Sequence, residues 1–208
     1  MRNQKICIIG GGLTGLITAL SLSKLKINID LIAGNIEQNL TSGRTLAISQ
    51  NNYDYFNKLN SSIFTKKDFW PCSEIKLYSE SKNNSFAEIF KITKDKKKVF
   101  YMMESSKVLR HLIKNIKKSK FISLKNNKEV NAISSGGLLK SVKINEVTSK
   151  YNLIIICTGK NSSLIQKYFP DKSFGYSYDE TSITTILKHS SLRNNIARQI
   201  FFDDEIFA

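Results

Sequence analysis

Six residues near the start of the chain, Gly10-Gly11-Gly12-Leu13-Thr14-Gly15, have the types and spacing to hold a phosphorylated dinucleotide. They satisfy the pattern G-x-G-x-x-G, in which each glycine has its own task. Gly10 makes a tight turn, Gly12 lets the backbone approach a pyrophosphate, and Gly15 allows a helix to pack closely on a strand. A helix opening here would add amide donors and the positive end of its dipole. A glycine-rich turn without a ligand is the plainer alternative. An acidic residue that grips ribose hydroxyls usually stands about 20 residues further on, at the end of the second strand. Ala33 occupies that place, Glu37 replaces it only if the following loop folds back, and Asp30 falls inside the strand. Gly159-Lys160-Asn161-Ser162 lacks the upstream glycine spacing of a Walker loop. No His, Cys or carboxylate stands out as a dedicated acid or base, and neither His111 nor His189 is assigned a role. Catalytic residues are therefore unknown, and no metal site is expected.

The elements that must position this turn can be read from periodicity. Lys5 to Ile9 is a short buried strand, Leu13 to Leu25 has helical apolar spacing, and Ile27 to Ile32 is a second strand. Together they form a βαβ unit of the usual size, about 30 residues, which implies a parallel sheet. Ala33 to Ser49 reads as a long loop ending in the apolar patch Leu46 to Ile48. Alternation from Glu74 to Ile92, broken at Ser81 to Ser85, predicts two strands. The lysine run Lys94 to Lys98 is a solvated tip. Ser105 and Ser106 are N-cap candidates for a helix with an apolar face of Val108, Leu109, Leu112, Ile113 and Ile116. Its other face carries Arg110, Lys114, Lys117 and Lys118. A strand at Phe121 to Leu124, a hairpin turning at Gly136-Gly137 and an apolar strand at Leu153 to Cys157 follow. The last is expected centrally in the parallel sheet, because it is apolar throughout. Ser182 to Ala208 alternates again and stops without a terminal cap, so the chain is expected to end before its fold does.

Composition narrows the class. With 41% hydrophobic and 10% aromatic residues in 208, the chain can build a packed core. The formal charge of +15, from 32 Lys+Arg against 17 Asp+Glu, is mostly diffuse lysine accompanied by Asn and Ile. A compositional bias explains it, and a preference for phosphates or anionic lipid headgroups is the alternative. Aromatic-basic interleaving of the kind used to stack nucleic-acid bases is missing, so no nucleic-acid partner is expected. Cys7, Cys72 and Cys157 are far apart in sequence and suggest a reducing, cytoplasmic compartment. There is no signal-peptide pattern and no apolar run of about 20 residues, so any membrane association would be peripheral, on the inner face.

Three further stretches carry a family resemblance. Ser42-Gly43-Arg44-Thr45-Leu46-Ala47-Ile48-Ser49 resembles the loop after the second strand of ubiquinone-biosynthesis hydroxylases, where Gly-Arg or Asp-x-Arg precedes an apolar run ending in Ser. Glu104 to Leu112 resembles their Glu-Asn-x-x-Leu helix entry. Leu153 to Ser162 resembles the strand and Ala-Asp-Gly-x-x-Ser turn of flavoprotein hydroxylases, with Thr158 where that family has Asp. These stretches follow the family's order along the whole chain.

The resemblance to UbiH/COQ6-type FAD-dependent aromatic-ring hydroxylases implies an α/β fold. A Rossmann-like FAD/NAD(P)-binding domain would span 1–70 and 101–166, discontinuously. A β-rich substrate-side region would span 71–100 and 167–208, C-terminally incomplete. It implies FAD as cofactor, NAD(P)H as co-substrate, and O2 with an aromatic, polyprenylated phenol as substrates. It also implies a ubiquinone-biosynthesis complex or membrane surface as partner. Gly10, Gly11, Gly12, Leu13, Thr14 and Gly15 would hold the ADP part of FAD, Arg44 would lie near the flavin, and Thr158 and Gly159 would close over the cofactor. Arg44 as an ordinary surface arginine is the alternative. Two rival functions remain: another FAD-dependent oxidoreductase, and a truncated, inactive dinucleotide-binding protein, which Ala33 and Thr158 favour.

Overall fold

The computed structural model describes residues 4–41, 43–59, 68–81, 85–94, 98–159, 162–170, 181, 183, 190, 195–202 and 206–207. The chain divides into two compact units. The first comprises 1–42 and 106–184, and the second comprises 43–105 and 185–208.

The first unit is built on a parallel sheet. β1 (Lys5–Ile9) is followed by α1 (Leu13–Ser23) and β2 (Asn28–Ile32), the expected βαβ unit. The helix ends two residues earlier than its apolar spacing suggests. Lys24 to Lys26 form a turn, with Lys26 at a positive φ of 58°. α3 (Ser105–Lys118) leads into β8 (Ile122–Lys125), which pairs with β2. β12 (Leu153–Ile156) pairs in parallel with β1, giving the strand order β12-β1-β2-β8. The parallel pairing of β12 is as expected, but among the described residues it lies at the edge of this sheet. Leu153 is 48% exposed and none of the other three residues is fully buried, so the unbroken apolar run of β12 does not mark a central strand here.

One face of this sheet is covered by an antiparallel meander of β9 (Ala132–Gly136), β10 (Leu139–Ile144) and β11 (Val147–Tyr151), which turns at Gly136-Gly137 as expected. Cys7, Ile9 and Ile32 from the sheet pack with Val142, Tyr151 and Leu164, the last from α4 (Ser163–Tyr168). α3 buries Val108, Leu109, Leu112, Ile113 and Ile116, the apolar face read from its sequence. Each such side chain contributes about 1.5–3 kcal/mol relative to exposure. Arg110, Lys114, Lys117 and Lys118 are exposed on its other face. Cys7 is fully buried, and burial first, with the Asp30 charge second, pushes its thiol up to about 12.

The second unit contains two sheets. β3 (Thr45–Ser49) pairs antiparallel with β7 (Phe100–Glu104), which also pairs with β4 (Trp70–Cys72). The stretch expected as a loop thus holds a strand at its end, preceded by a short 3-10 turn over Glu37–Thr41. Polar residues alternating with Leu46 and Ile48 are enough for a strand once β7 supplies a partner. α2 (Gln50–Leu59) buries Phe56 and Leu59, and its Tyr53 stacks on Tyr101 of β7 at 4.1 Å. In the other sheet β5 (Glu74–Ser81) pairs with β6 (Ser85–Thr93), as expected. β13 (Ile196–Phe201) lies parallel to β5 and carries β14 (Ile206–Phe207). Most of Ser182 to Asn194, in the stretch expected to alternate, and the centre of the Lys94 to Lys98 run lie outside the described residues.

Candidate functional site

At the carboxyl end of the parallel sheet the chain makes a cleft of about 590 Å3. Gly10, Gly11, Gly12, Leu13, Thr14, Gly34, Cys157, Thr158 and Gly159 line it. It sits where β1 leads to β2 on one side and pairs with β12 on the other, the place where open α/β sheets bind ligands.

The glycines divide into two kinds. Gly10 has φ +123°, its amide donates to the Ile32 carbonyl at 2.8 Å, and a Cβ there would collide with the Cys157 carbonyl. A Cβ on Gly15 would meet the Gly10 carbonyl oxygen. One on Gly11 would come within 2.7 Å of the Ala33 Cβ. These three are required by the protein's own packing. Gly12 differs, because a Cβ there would meet nothing within 4 Å and its backbone is extended, at φ −78°. The absence of a side chain at Gly12 leaves cleft space open. Gly12 is also the N-cap of α1, with no side chain capping the helix and no acidic residue in its first turn. The first-turn amides and the positive end of the helix dipole thus have no N-cap side chain or first-turn acid to offset them, an arrangement that favours an anion.

Thr158 supplies a second sign of a missing partner. Its Oγ1 is buried and makes no hydrogen bond among the described residues. A buried hydroxyl without a partner costs about 1–3 kcal/mol. Cys157, beside it, hydrogen-bonds with Thr18, and burial outweighs that bond and raises its thiol pKa. Ala33 is 2% exposed beneath Gly11, so it offers no acceptor to a ribose, and Glu37 is exposed in the 3-10 turn outside the cleft lining. Gly34 was not singled out from the sequence, although its place just after β2 was a usable signal.

Asp30, inside β2 as its register indicated, is the hub of a separate cluster. Its carboxylate accepts a hydrogen bond from the Tyr151 hydroxyl at 2.7 Å and pairs with Lys5 at 2.9 Å and Lys125 at 3.0 Å. Burial pushes the carboxyl up, but the bonds from Lys5, Tyr151 and Lys125 outweigh it and hold it below its ordinary value. Burial and the Asp30 carboxylate raise the Tyr151 phenol. This cluster ties β1, β2, β8 and β11 together.

Arg44 belongs to the second unit, where it is exposed at the start of β3 and its carbonyl accepts the Ser105 amide at 2.9 Å. His111 lies on α3 away from the cleft lining. Ser42, Lys160, Asn161 and His189 lie outside the described residues.

No protein-family profile matches the sequence, and no curated protein matches it in sequence. Solved structures do match. CtdE, solved in complex with FAD, superposes with a TM-score of 0.60 at 14% identity, over 80% of this chain and 41% of CtdE. The 2,6-dihydroxypyridine-3-hydroxylase of Arthrobacter nicotinovorans matches with a TM-score of 0.62 at 13% identity, over 81% of this chain and 40% of the hydroxylase. The p-nitrophenol 4-monooxygenase PnpA of Pseudomonas putida matches with a TM-score of 0.61 at 16% identity, over 79% and 44%. The chain spans about two-fifths of the length of these proteins. It shares their fold over that span.

Proposed function

We propose that this chain is the cofactor-binding part of an FAD-dependent monooxygenase that hydroxylates an aromatic ring. The observation that carries the reading is the glycine-lined cleft, open at Gly12 and facing an uncapped helix start. The shared fold with aromatic hydroxylases supports it. The residues fit the ADP part of FAD. Gly12, Leu13 and Thr14 offer backbone around a pyrophosphate, and Gly10, Gly11 and Gly15 hold that backbone in shape. Thr158 would donate its unpartnered hydroxyl to the cofactor, and Gly159, at φ +84°, would let the turn close over it. Arg44 would lie near the flavin. In this reading 1–70 and 101–166 form the cofactor domain, and 71–100 and 167–208 the substrate side.

Bound FAD would supply reduction by NAD(P)H and activation of O2. The protein's share is to bind, orient and exclude water. A polyprenylphenol precursor of ubiquinone is the substrate that the Arg44 loop and the Glu104 helix entry favour. Buried Ala33 favours a second reading, a dinucleotide-binding protein without catalysis, because ribose recognition lacks its usual acid.

Titrating the purified chain with FAD, with ADP as competitor, tests the site. Quenched flavin fluorescence that ADP reverses supports it, and no binding of either overturns it. Adding NADPH and a prenylated phenol to the loaded protein then separates the two readings. Phenol-stimulated NADPH oxidation supports the monooxygenase, whereas retained flavin without oxidation supports the binding protein.

A further inference from the structure

The other end of the same parallel sheet carries a different surface. Ile29 accompanies Ile122 across β2 and β8, and its amide donates to the Phe121 carbonyl at 2.8 Å. This places the turn after α1 beside the turn after α3. Exposed Lys24 and Lys26 come from the first turn, and exposed Lys117, Lys118 and Lys120 from the second. Asn152 exchanges hydrogen bonds with Lys5 here, so Lys150, also exposed, ends β11 at this edge. Between the amino ends of β1, β2 and β8 lies a recess of about 400 Å3 lined by Lys5, Asn28, Lys120 and Ser123.

Among the described residues, acidic side chains do not offset this charge. Among the described residues of the first unit, the only carboxylate at this end is Asp30, which is buried and already paired with two lysines. Glu37 and Glu129 follow the carboxyl ends of β2 and β8, and Glu146 sits at the opposite end of β11 from Asn152. Leucines stand among the lysines. Leu25, between Lys24 and Lys26 at the turn tip, is 65% exposed, and Leu138 at the β9–β10 tip is 90% exposed. Lys140 pairs with Tyr151, which brings that tip to the same side.

We infer that this amino-end surface docks on an anionic lipid bilayer, with the lysines over headgroup phosphates and Leu25 and Leu138 entering the interface. Clustered lysines are drawn to the negative surface potential of such a membrane, and apolar tips add burial that free phosphate or nucleic acid does not reward. Docking this way leaves the glycine cleft, at the other end of the sheet, facing the aqueous side. The inference stands apart from the flavin reading and does not depend on it.

The test is sedimentation of the 208-residue chain with vesicles of phosphatidylcholine alone or containing about 30% phosphatidylglycerol. Binding to the anionic vesicles alone is expected. The exposed triple variant Lys24→Glu/Lys117→Glu/Lys120→Glu should lose about 100-fold, from about fivefold per lysine near the surface. Leu25→Ser, which keeps the charge, should lose about tenfold. A control with the same charge change at other exposed positions, Lys128→Glu/Lys143→Glu/Lys167→Glu, should retain most binding. Equal binding to neutral vesicles, or equal loss in the control, overturns the inference. So does full binding by Leu25→Ser together with tighter binding to duplex DNA, which would mark a nucleic-acid surface.

Discussion

The two ends of the parallel sheet handle charge in opposite ways. At the carboxyl end the sequence removes side chains, so that glycines expose backbone amides, the N-cap of α1 has no side chain, and a threonine hydroxyl has no partner among the described residues. At the amino end exposed lysines gather, while inside the sheet Lys5, Lys125 and Tyr151 converge on one buried carboxylate. On the proposed function, the first end gains from a ligand. The second is satisfied inside and cationic outside. A site built on backbone is unforgiving of added atoms, whereas one built on side chains loses one bond at a time.

That contrast sets the sizes of the expected effects. Gly10→Ala should be the most damaging change, because it puts a Cβ against the Cys157 carbonyl at a φ that L-residues avoid. Strain and overpacking together should cost about 3–5 kcal/mol, read as a collapse in urea midpoint. An unchanged midpoint would break the comparison at its carboxyl end.

Asp30→Asn should cost about 2 kcal/mol. That is below the usual loss for a broken buried pair, because side chains of Lys5 and Lys125 that are 44% and 34% exposed can turn to water. The carboxyl is held below its ordinary value in the fold, so its contribution is complete above the unfolded pKa of about 3.9 and fades as pH falls through the lower folded value. The Tm gap between wild type and Asp30→Asn should therefore be flat from neutral pH to about pH 4 and narrow below it. A gap that instead narrows on going from pH 6 to 8 would assign it to another group. Tyr151→Phe removes one of the bonds to Asp30 and should cost about 1 kcal/mol by thermal unfolding.

The smallest effect should have the opposite sign. Thr158→Val deletes an unpartnered hydroxyl and should leave the free protein as stable or up to about 1 kcal/mol more stable, while weakening FAD binding about tenfold. Lower stability of the free valine variant would mean that Thr158 already has a partner.

Much of this was legible in the sequence where spacing and burial agree. The glycine turn, the apolar face of α3 and the Gly136-Gly137 hairpin were readable, because each is local and set by steric or periodic rules. The strand at Thr45–Ser49 was not, since its pairing with β7 depends on residues far away in sequence. The edge place of β12 was hidden for the same reason, as an apolar run does not show which strands lie beside it. Asp30 could be placed inside β2, but its partners Lys125 and Tyr151 are 95 and 121 positions along the chain, beyond any local pattern. Gly34 lines the cleft beside Ala33, where the sequence signal is the missing acid rather than the glycine.

On the proposed function, Gly12 is a glycine for a ligand's sake and not for the fold's. The most direct test is an FAD titration and a thermal melt of the wild type and Gly12→Asp side by side. A Cβ there meets nothing within 4 Å and Asp is a good N-cap for α1, so the melt should be unchanged or higher while FAD affinity falls at least about 100-fold through charge and bulk at the cleft. Unchanged FAD binding by the variant, or a melt lowered as far as that of Gly10→Ala, would contradict it.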